Sequence, residues 1–192
     1  MNLKIIGISG NMGAGKTTLA HALQQNLKST LLCWDDFDDI STSPSDYVEW
    51  YHRGQDYNEW NYQALADVLE ELKAKQSVSH PALKKLLNPT EYIIFDAPLG
   101  RLHQQTGQFI DILIHINVPL DVSLCRHLLR DFKGSNKTKE ELLEELEYYL
   151  SHSRSLFFDD DLKASADLVI DGMLTIEKQI QKINAYLKRE KR

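Results

Sequence analysis

Near the start of the chain, Gly10, Asn11, Met12, Gly13, Ala14, Gly15, Lys16 and Thr17 carry the spacing G-x-x-x-x-G-K-[ST], with Thr18 next. Residues of these types at this spacing are suited to gripping a polyphosphate. Glycines let the backbone curl so that successive N–H groups point inward as an anion nest, and a helix beginning at the lysine adds partial positive charge. In that arrangement Lys16 reaches the terminal phosphates of a nucleoside triphosphate, Thr17 offers its hydroxyl to Mg2+, and Thr18 sits beside the phosphates. Two further groups can act on a phosphate held there. The first is acidic: Asp35 and Asp36 follow one apolar run and Asp96 ends another. One carboxylate can hold Mg2+ against the phosphates, while another accepts the proton of an attacking hydroxyl. Asp96 suits the first role and Asp35 or Asp36 the second, with Asp36 also a candidate beside the metal. The run Asp35-Asp36-Phe37-Asp38-Asp39 reads equally as a solvated acidic loop. The second group is basic: Arg126 and Arg130 stand four apart, on one face of a helix, where guanidinium groups can clamp phosphate oxygens and stabilise transition-state charge. Their alternative is a surface pair matched to acids such as Asp131.

The elements that must position these side chains are legible as patterns. Leu3–Ser9, Thr30–Trp34, Tyr92–Ala97, Ile112–Val118 and Leu168–Gly172 are short apolar runs with little alternation. Strands buried on both faces look like this, which points to a parallel sheet between helical layers. Leu19, Leu23 and Leu27 stripe a helix from about Lys16; Leu65, Val68, Leu69 and Leu72 stripe Tyr62–Lys75; Ile176, Ile180, Ile183 and Leu187 stripe the C-terminal helix. The β, α alternation predicts a doubly wound α/β domain over residues 1–192, whose ligands lie beyond the carboxyl ends of the strands. Phe132–Glu141 is polar, contains a glycine, and is the candidate for a mobile flap within a lid at about 126–150.

Bulk properties exclude several classes. A formal charge of −6 over 192 residues does not suggest a nucleic-acid surface, and the C-terminal cluster Lys188-Arg189-Glu190-Lys191-Arg192 reads as a solvated helix end. No run of about 18 apolar residues suggests a membrane span, and the N-terminal apolar stretch is too short for a signal peptide. Cys33 and Cys125 are far apart and read as free thiols, and the histidines show no zinc-binding spacing. The expectation is a cytosolic protein with no nucleic-acid or membrane partner, with a homo-oligomer left open.

Taken together, "IIGISGNMGAGKTTLA", "WDDF" and "PLDVSLCRHLLRD" resemble the uridine kinase and nicotinamide riboside kinase group of P-loop kinases. The resemblance implies a three-layer α/β/α fold with a five-stranded parallel sheet, that of P-loop NTPases of the nucleoside and nucleotide kinase type, with a small lid. It implies ATP- and Mg2+-dependent phosphorylation of a small-molecule acceptor, usually at a nucleoside 5′-hydroxyl. Asp35 falls on the family's general base, Arg126 and Arg130 on its lid arginines, and Asp96 on the acid closing the third strand. Two departures stand out. Where the family carries a ribose-gripping aspartate after an aromatic residue, the nearest match is Trp60-Asn61, whose neutral amide grips less strongly. "DAPLGRLH" replaces the usual sequence after strand three, which places Arg101 as a candidate facing the acceptor. The acceptor side is expected from Asp46–Trp60, where Tyr47, Trp50, Tyr51, Tyr57 and Trp60 either stack a base or pack a short helix. A switch GTPase is disfavoured, because Asn136-Lys137-Thr138-Lys139 lacks the aspartate of N-K-x-D. An NTP-binding regulatory protein without an acceptor, or a kinase for a non-nucleoside, remain the alternatives.

Overall fold

A computed structural model describes residues 3–191, so Arg192 of the C-terminal basic cluster lies outside the described residues. In chain order the elements begin with β1 (Lys4–Gly10), α1 (Lys16–Leu27), β2 (Thr30–Cys33), α2 (Tyr47–His52) and α3 (Gln63–Lys73). They continue through β3 (Val78–Ser79), β4 (Leu86–Leu87), β5 (Tyr92–Asp96), α4 (Gln104–Gly107) and β6 (Ile112–Asn117). The chain then forms α5 (Leu120–Phe132), α6 (Lys139–Tyr148), α7 (Asp160–Ala164), β7 (Leu168–Asp171) and α8 (Ile176–Glu190). The main sheet has five strands in the order β2-β5-β1-β6-β7, all parallel. They are the five apolar runs singled out in the sequence. β3 and β4 form a separate antiparallel hairpin.

Parallel strands need cover on both faces, and the burial shows it. Ile5, Ile93, Phe95 and Leu113 point into one core with Leu65, Leu69 and Leu72 of α3. Their strand neighbours Ile6, Ile8, Ile94 and Ile114 point into the other, with Leu19 and Leu23 of α1 and Ile183 and Leu187 of α8. The result is a three-layer α/β/α sandwich in which truncating any one of these leucines to alanine would cost about 2–5 kcal/mol. Helix α3 begins one residue later than the apolar stripe suggests and stops at Lys73, because Lys75 turns the chain with φ 64.

The polar stretch after α5 is shorter than its composition suggests. Thr138 accepts the Glu141 N–H and the Glu141 carboxylate accepts the Thr138 N–H, a reciprocal cap that starts α6 inside the expected flap. Helix α6 buries no residue of its own. The chain returns through a π turn at Tyr149–Ser153 and a 3-10 turn at Arg154–Phe157. Among the described residues, no helix is long and apolar enough to cross a membrane.

Candidate active site

Strand β1 is central, with β5 and β6 on its two sides, so the carboxyl ends of these strands deliver Gly10, Asp96 and Asn117 side by side. The loop from Gly10 leads into α1 through Gly15, which takes the left-handed φ of 95 at the helix N-cap. No side chain caps this helix and its first turn holds no acid, so its N-terminal amides are left for an external anion. Gly13 is required by crowding: a Cβ there would stand 2.2 Å from the Ser123 carbonyl oxygen of α5, at a φ of +76. The loop is thereby locked against the helix that carries the two arginines.

At the loop's end, the Thr17 hydroxyl donates to Asp96 Oδ2 at 2.6 Å. The other Asp96 oxygen is buried and has no hydrogen-bond partner. Burial holds the Asp96 carboxyl above the usual range; the Thr17 hydrogen bond and the Lys16 charge oppose this without overcoming it, and Asp35 adds to it. Lys16 Nζ donates to the Asn11 carbonyl at 3.1 Å. Burial lowers its pKa, while Asp96 and then Asp35 pull it back. The charges of Asp96 and Asp35 thus both act on Lys16, and burial, with Asp96 and Asp36, pushes the Cys33 thiol up to about 12. An exposed hydroxyl on a buried carboxylate with one oxygen orphaned, next to Lys16 and an open helix N-terminus, is the donor set a hard cation and a polyphosphate need.

Asp35 and Asp36 sit on a 3-10 helix, Trp34–Ile40, not on a loose acidic loop. Trp34 and Phe37 are buried, which turns the carboxylates of Asp35 and Asp36 outward. Asp35 is exposed. Asp36 faces His80, at 3.8 Å. His80 is fully buried in the β3–β4 hairpin, where its Nδ1 accepts the Leu83 N–H at 3.2 Å. A neutral ring that accepts at Nδ1 carries its proton at Nε2, and that buried Nε2, aimed at Asp36, has no hydrogen-bond partner.

A cleft of about 650 Å3 is lined by Gly13 to Thr18, Arg126, Arg130, Gly172, Leu174 to Ile176 and Gln179. Both arginines therefore share one cleft with the phosphate loop. Neither is idle: Arg126 donates to the Gly172 carbonyl at 3.3 Å, and Arg130 donates to Asp131 at 2.8 Å and sits 3.0 Å from His127 Nδ1. Gly172, Leu174 to Ile176 and Gln179 were not singled out as site residues in the sequence, where Gly172 only ended a strand and Ile176 only opened a helix stripe. Their signal was available, because they follow the fifth strand and so lie beyond its carboxyl end.

The aromatic group divides into a packed part and an exposed part. Trp50 is buried and meets Tyr57 edge-on at 5.2 Å. Exposed Tyr47 lies parallel to half-buried Trp60, with centroids 5.1 Å apart. Asn61 is exposed; its backbone bridges Thr42 and its side-chain oxygen accepts from Gln105 at 3.1 Å.

Arg101 does not face the acceptor, as its place after β5 had suggested. Its guanidinium donates to the carbonyls of Ser165 at 3.0 Å and Asp111 at 3.1 Å, and to Asp167 Oδ2 at 2.6 Å. These partners precede β6 and β7, at the opposite end of the sheet from the phosphate loop. The turn after β5 doubles back along the sheet, so a residue close to Asp96 in sequence is placed away from it in space. Arg101 latches strand entries together and lines a separate hollow with Asn58, Gln104, Gln105 and Gln108.

Comparisons with known proteins agree with this geometry. The model of the "Phosphoribulokinase / Uridine kinase family" matches residues 5–177. A uridine kinase from Borrelia duttonii is 28% identical over 203 residues, covering 97% of this chain and 95% of that protein. A uridine kinase from Halobacterium salinarum is 25% identical, covering 86% and 78%. Among solved structures, shikimate kinase from Acinetobacter baumannii superposes with a TM-score of 0.52 at 15% identity, covering 98% of this chain and 95% of that one, a likeness of fold alone.

Proposed function

The chain belongs to the phosphoribulokinase/uridine kinase family, and from that membership we propose that it moves the γ-phosphoryl group of ATP to a hydroxyl of a nucleoside. The observation that carries the reading is the bracket at the head of the phosphate loop: Thr17 on Asp96 at 2.6 Å, with an orphaned Asp96 oxygen and the charges of Lys16 and Asp35 beside it. The backbone amides of Gly10 to Thr18 cradle the donor phosphates, and Lys16 neutralises their charge. Thr17 and Asp96, with Asp36 nearby, would hold Mg2+, which when bound offsets charge on the phosphate oxygens. Asp35 is the exposed carboxylate of the group; it accepts the acceptor's hydroxyl proton and holds that oxygen in line with the phosphoryl group. Arg126 and Arg130 swing from their present partners onto the phosphates as the segment 126–150 closes as a lid.

A nucleoside acceptor is supported by the uridine kinases among the relatives and by the Tyr47–Trp60 shelf, whose exposed ring face suits a flat base. A non-nucleoside alcohol is the second reading. One observation favours it: the nearest match to the family's ribose-gripping aspartate is the Asn61 amide, whose oxygen accepts from Gln105. The experiment is ATP turnover against a panel of pyrimidine and purine nucleosides, nicotinamide riboside, sugars and simple alcohols. Nucleoside-dependent ADP formation with a 5′-phosphate product supports the reading. Acceptor-dependent turnover confined to the sugars and alcohols transfers it to the second, and acceptor-independent hydrolysis refutes both.

A further inference from the structure

His115 is fully buried on β6, yet phosphoryl transfer as outlined above does not use it. Its Nδ1 lies 3.2 Å from the Ser9 hydroxyl oxygen, and its Nε2 lies 3.2 Å from an Asp159 carboxylate oxygen, a close polar contact without hydrogen-bond alignment. Serine, histidine and aspartate in a row suggest a nucleophile, but Ser9 is itself fully buried, so no substrate reaches its hydroxyl. The imidazole instead joins distant parts of the chain. Ser9 immediately precedes the phosphate loop. Asp159 follows the 3-10 turn Arg154–Phe157, on the limb by which the chain returns from α6. That limb is held a second time, where Asn11 of the phosphate loop donates its side-chain amide to the Phe157 carbonyl at 2.9 Å. The Asp159 charge is also near enough to favour the ammonium form of Lys16. Farther out, Tyr149 stacks on Phe157 at 5.7 Å, and His127 of α5 faces Glu145 of α6 at 3.9 Å. A path of contacts thus runs from the base of the phosphate loop, through the return limb and α6, to the helix bearing Arg126 and Arg130.

We propose that His115 is a positioning residue: through Asp159 it clasps the return limb to the root of the phosphate loop, and so sets how the lid arginines meet the donor. The proposal rests on the kinase reading for its effect on turnover, while the clasp itself is open to readouts that need no acceptor. Removing His115 alone strands a carboxylate, so the main variant is His115→Phe/Asp159→Leu, which removes both ends together. Relative to wild type, hydrogen exchange of the amides in 154–164 is expected to quicken about tenfold, and kcat to fall about tenfold, the loss appropriate to one close buried polar contact. ADP affinity, measured separately, is expected to change by less than about threefold, because the loop amides that bind it are intact. His115→Gln keeps an N–H near the place of Nε2 and is expected to recover most of both the exchange protection and kcat. Exchange and kcat at wild-type levels in the double variant would overturn the proposal. So would losses that track only the fraction of folded protein and are not recovered by His115→Gln. An enzyme that turns over no acceptor at all refutes the kinase reading instead, and the exchange comparison still decides the clasp.

Discussion

Consider the substitution Asp96→Asn, which keeps the shape of the carboxyl group and removes its charge. Burial holds the Asp96 pKa above its unfolded value even after the Thr17 hydrogen bond and the Lys16 charge are counted. A group with a raised folded pKa contributes its full stability below the unfolded value and loses it as pH rises through the folded one. At neutral pH the ionised carboxylate therefore works against the fold, and asparagine, which mimics the protonated form, does not. Each pKa unit between the two states is about 1.4 kcal/mol. Neutralising changes of this kind give gains on the order of 1 kcal/mol. For a chain of this size such a gain raises Tm by ~2–4 °C. Turnover moves the other way: an amide cannot hold Mg2+ as a carboxylate does, and kcat is expected to fall at least about a hundredfold. Thermal melts at neutral pH and again below the usual carboxylate range, with ATP turnover beside them, make the test. The Tm gap should be present at neutral pH and should close in acid. A variant that melts lower than wild type at neutral pH would show that the Lys16 pairing outweighs burial, and unchanged turnover would remove Asp96 from the metal-holding role.

Three other outcomes follow from the same geometry. Gly13→Ala forces a Cβ against the Ser123 carbonyl oxygen at 2.2 Å and a left-handed φ of +76 on a side chain; ATP affinity by calorimetry should weaken at least about tenfold. Arg126→Ala and Arg130→Ala should each lower kcat about a hundredfold with a smaller change in acceptor KM, as for a donor aimed at transition-state charge; a pure KM effect would reassign them to the acceptor. Arg101→Ala should leave KM for the acceptor unchanged and cost about 1–2 kcal/mol of stability by denaturant melts, after allowing for partial exposure. Burial pushes Asp167 up, but the Arg101 hydrogen bond and the Leu113 N–H hold it below its usual value, so this contribution is present above the unfolded aspartate pKa and fades as pH falls through the lower folded one.

Why some of this was legible in the chain and some was not has a physical basis. Strands buried on both faces need uninterrupted apolar runs, and Tyr92–Asp96, buried at every position, is visible for that reason. The phosphate loop is local: its glycines, its lysine and the helix it opens lie within a few residues of one another. Asp35, Asp36 and Asp96 follow from one rule, that ligands gather beyond the carboxyl ends of parallel strands. The rule fails for Arg101, because it says nothing about a turn that doubles back along the sheet to Asp111 and Asp167. His80 and His115 escape for a different reason. Each stands alone in sequence, and its partner is supplied by tertiary contact, Ser9 being 106 residues from His115. The 3-10 winding of Trp34–Ile40 was masked by its acids, since Trp34 and Phe37 alone report the buried side.

In the proposed mechanism Asp35 takes the acceptor's proton above phosphates gripped by the loop at Lys16. Single-turnover transfer of labelled γ-phosphate from ATP to acceptor, in wild type and Asp35→Asn, tests it most directly. Transfer in Asp35→Asn is expected to slow at least about a hundredfold with ATP affinity unchanged. Transfer at the wild-type rate in Asp35→Asn would contradict it.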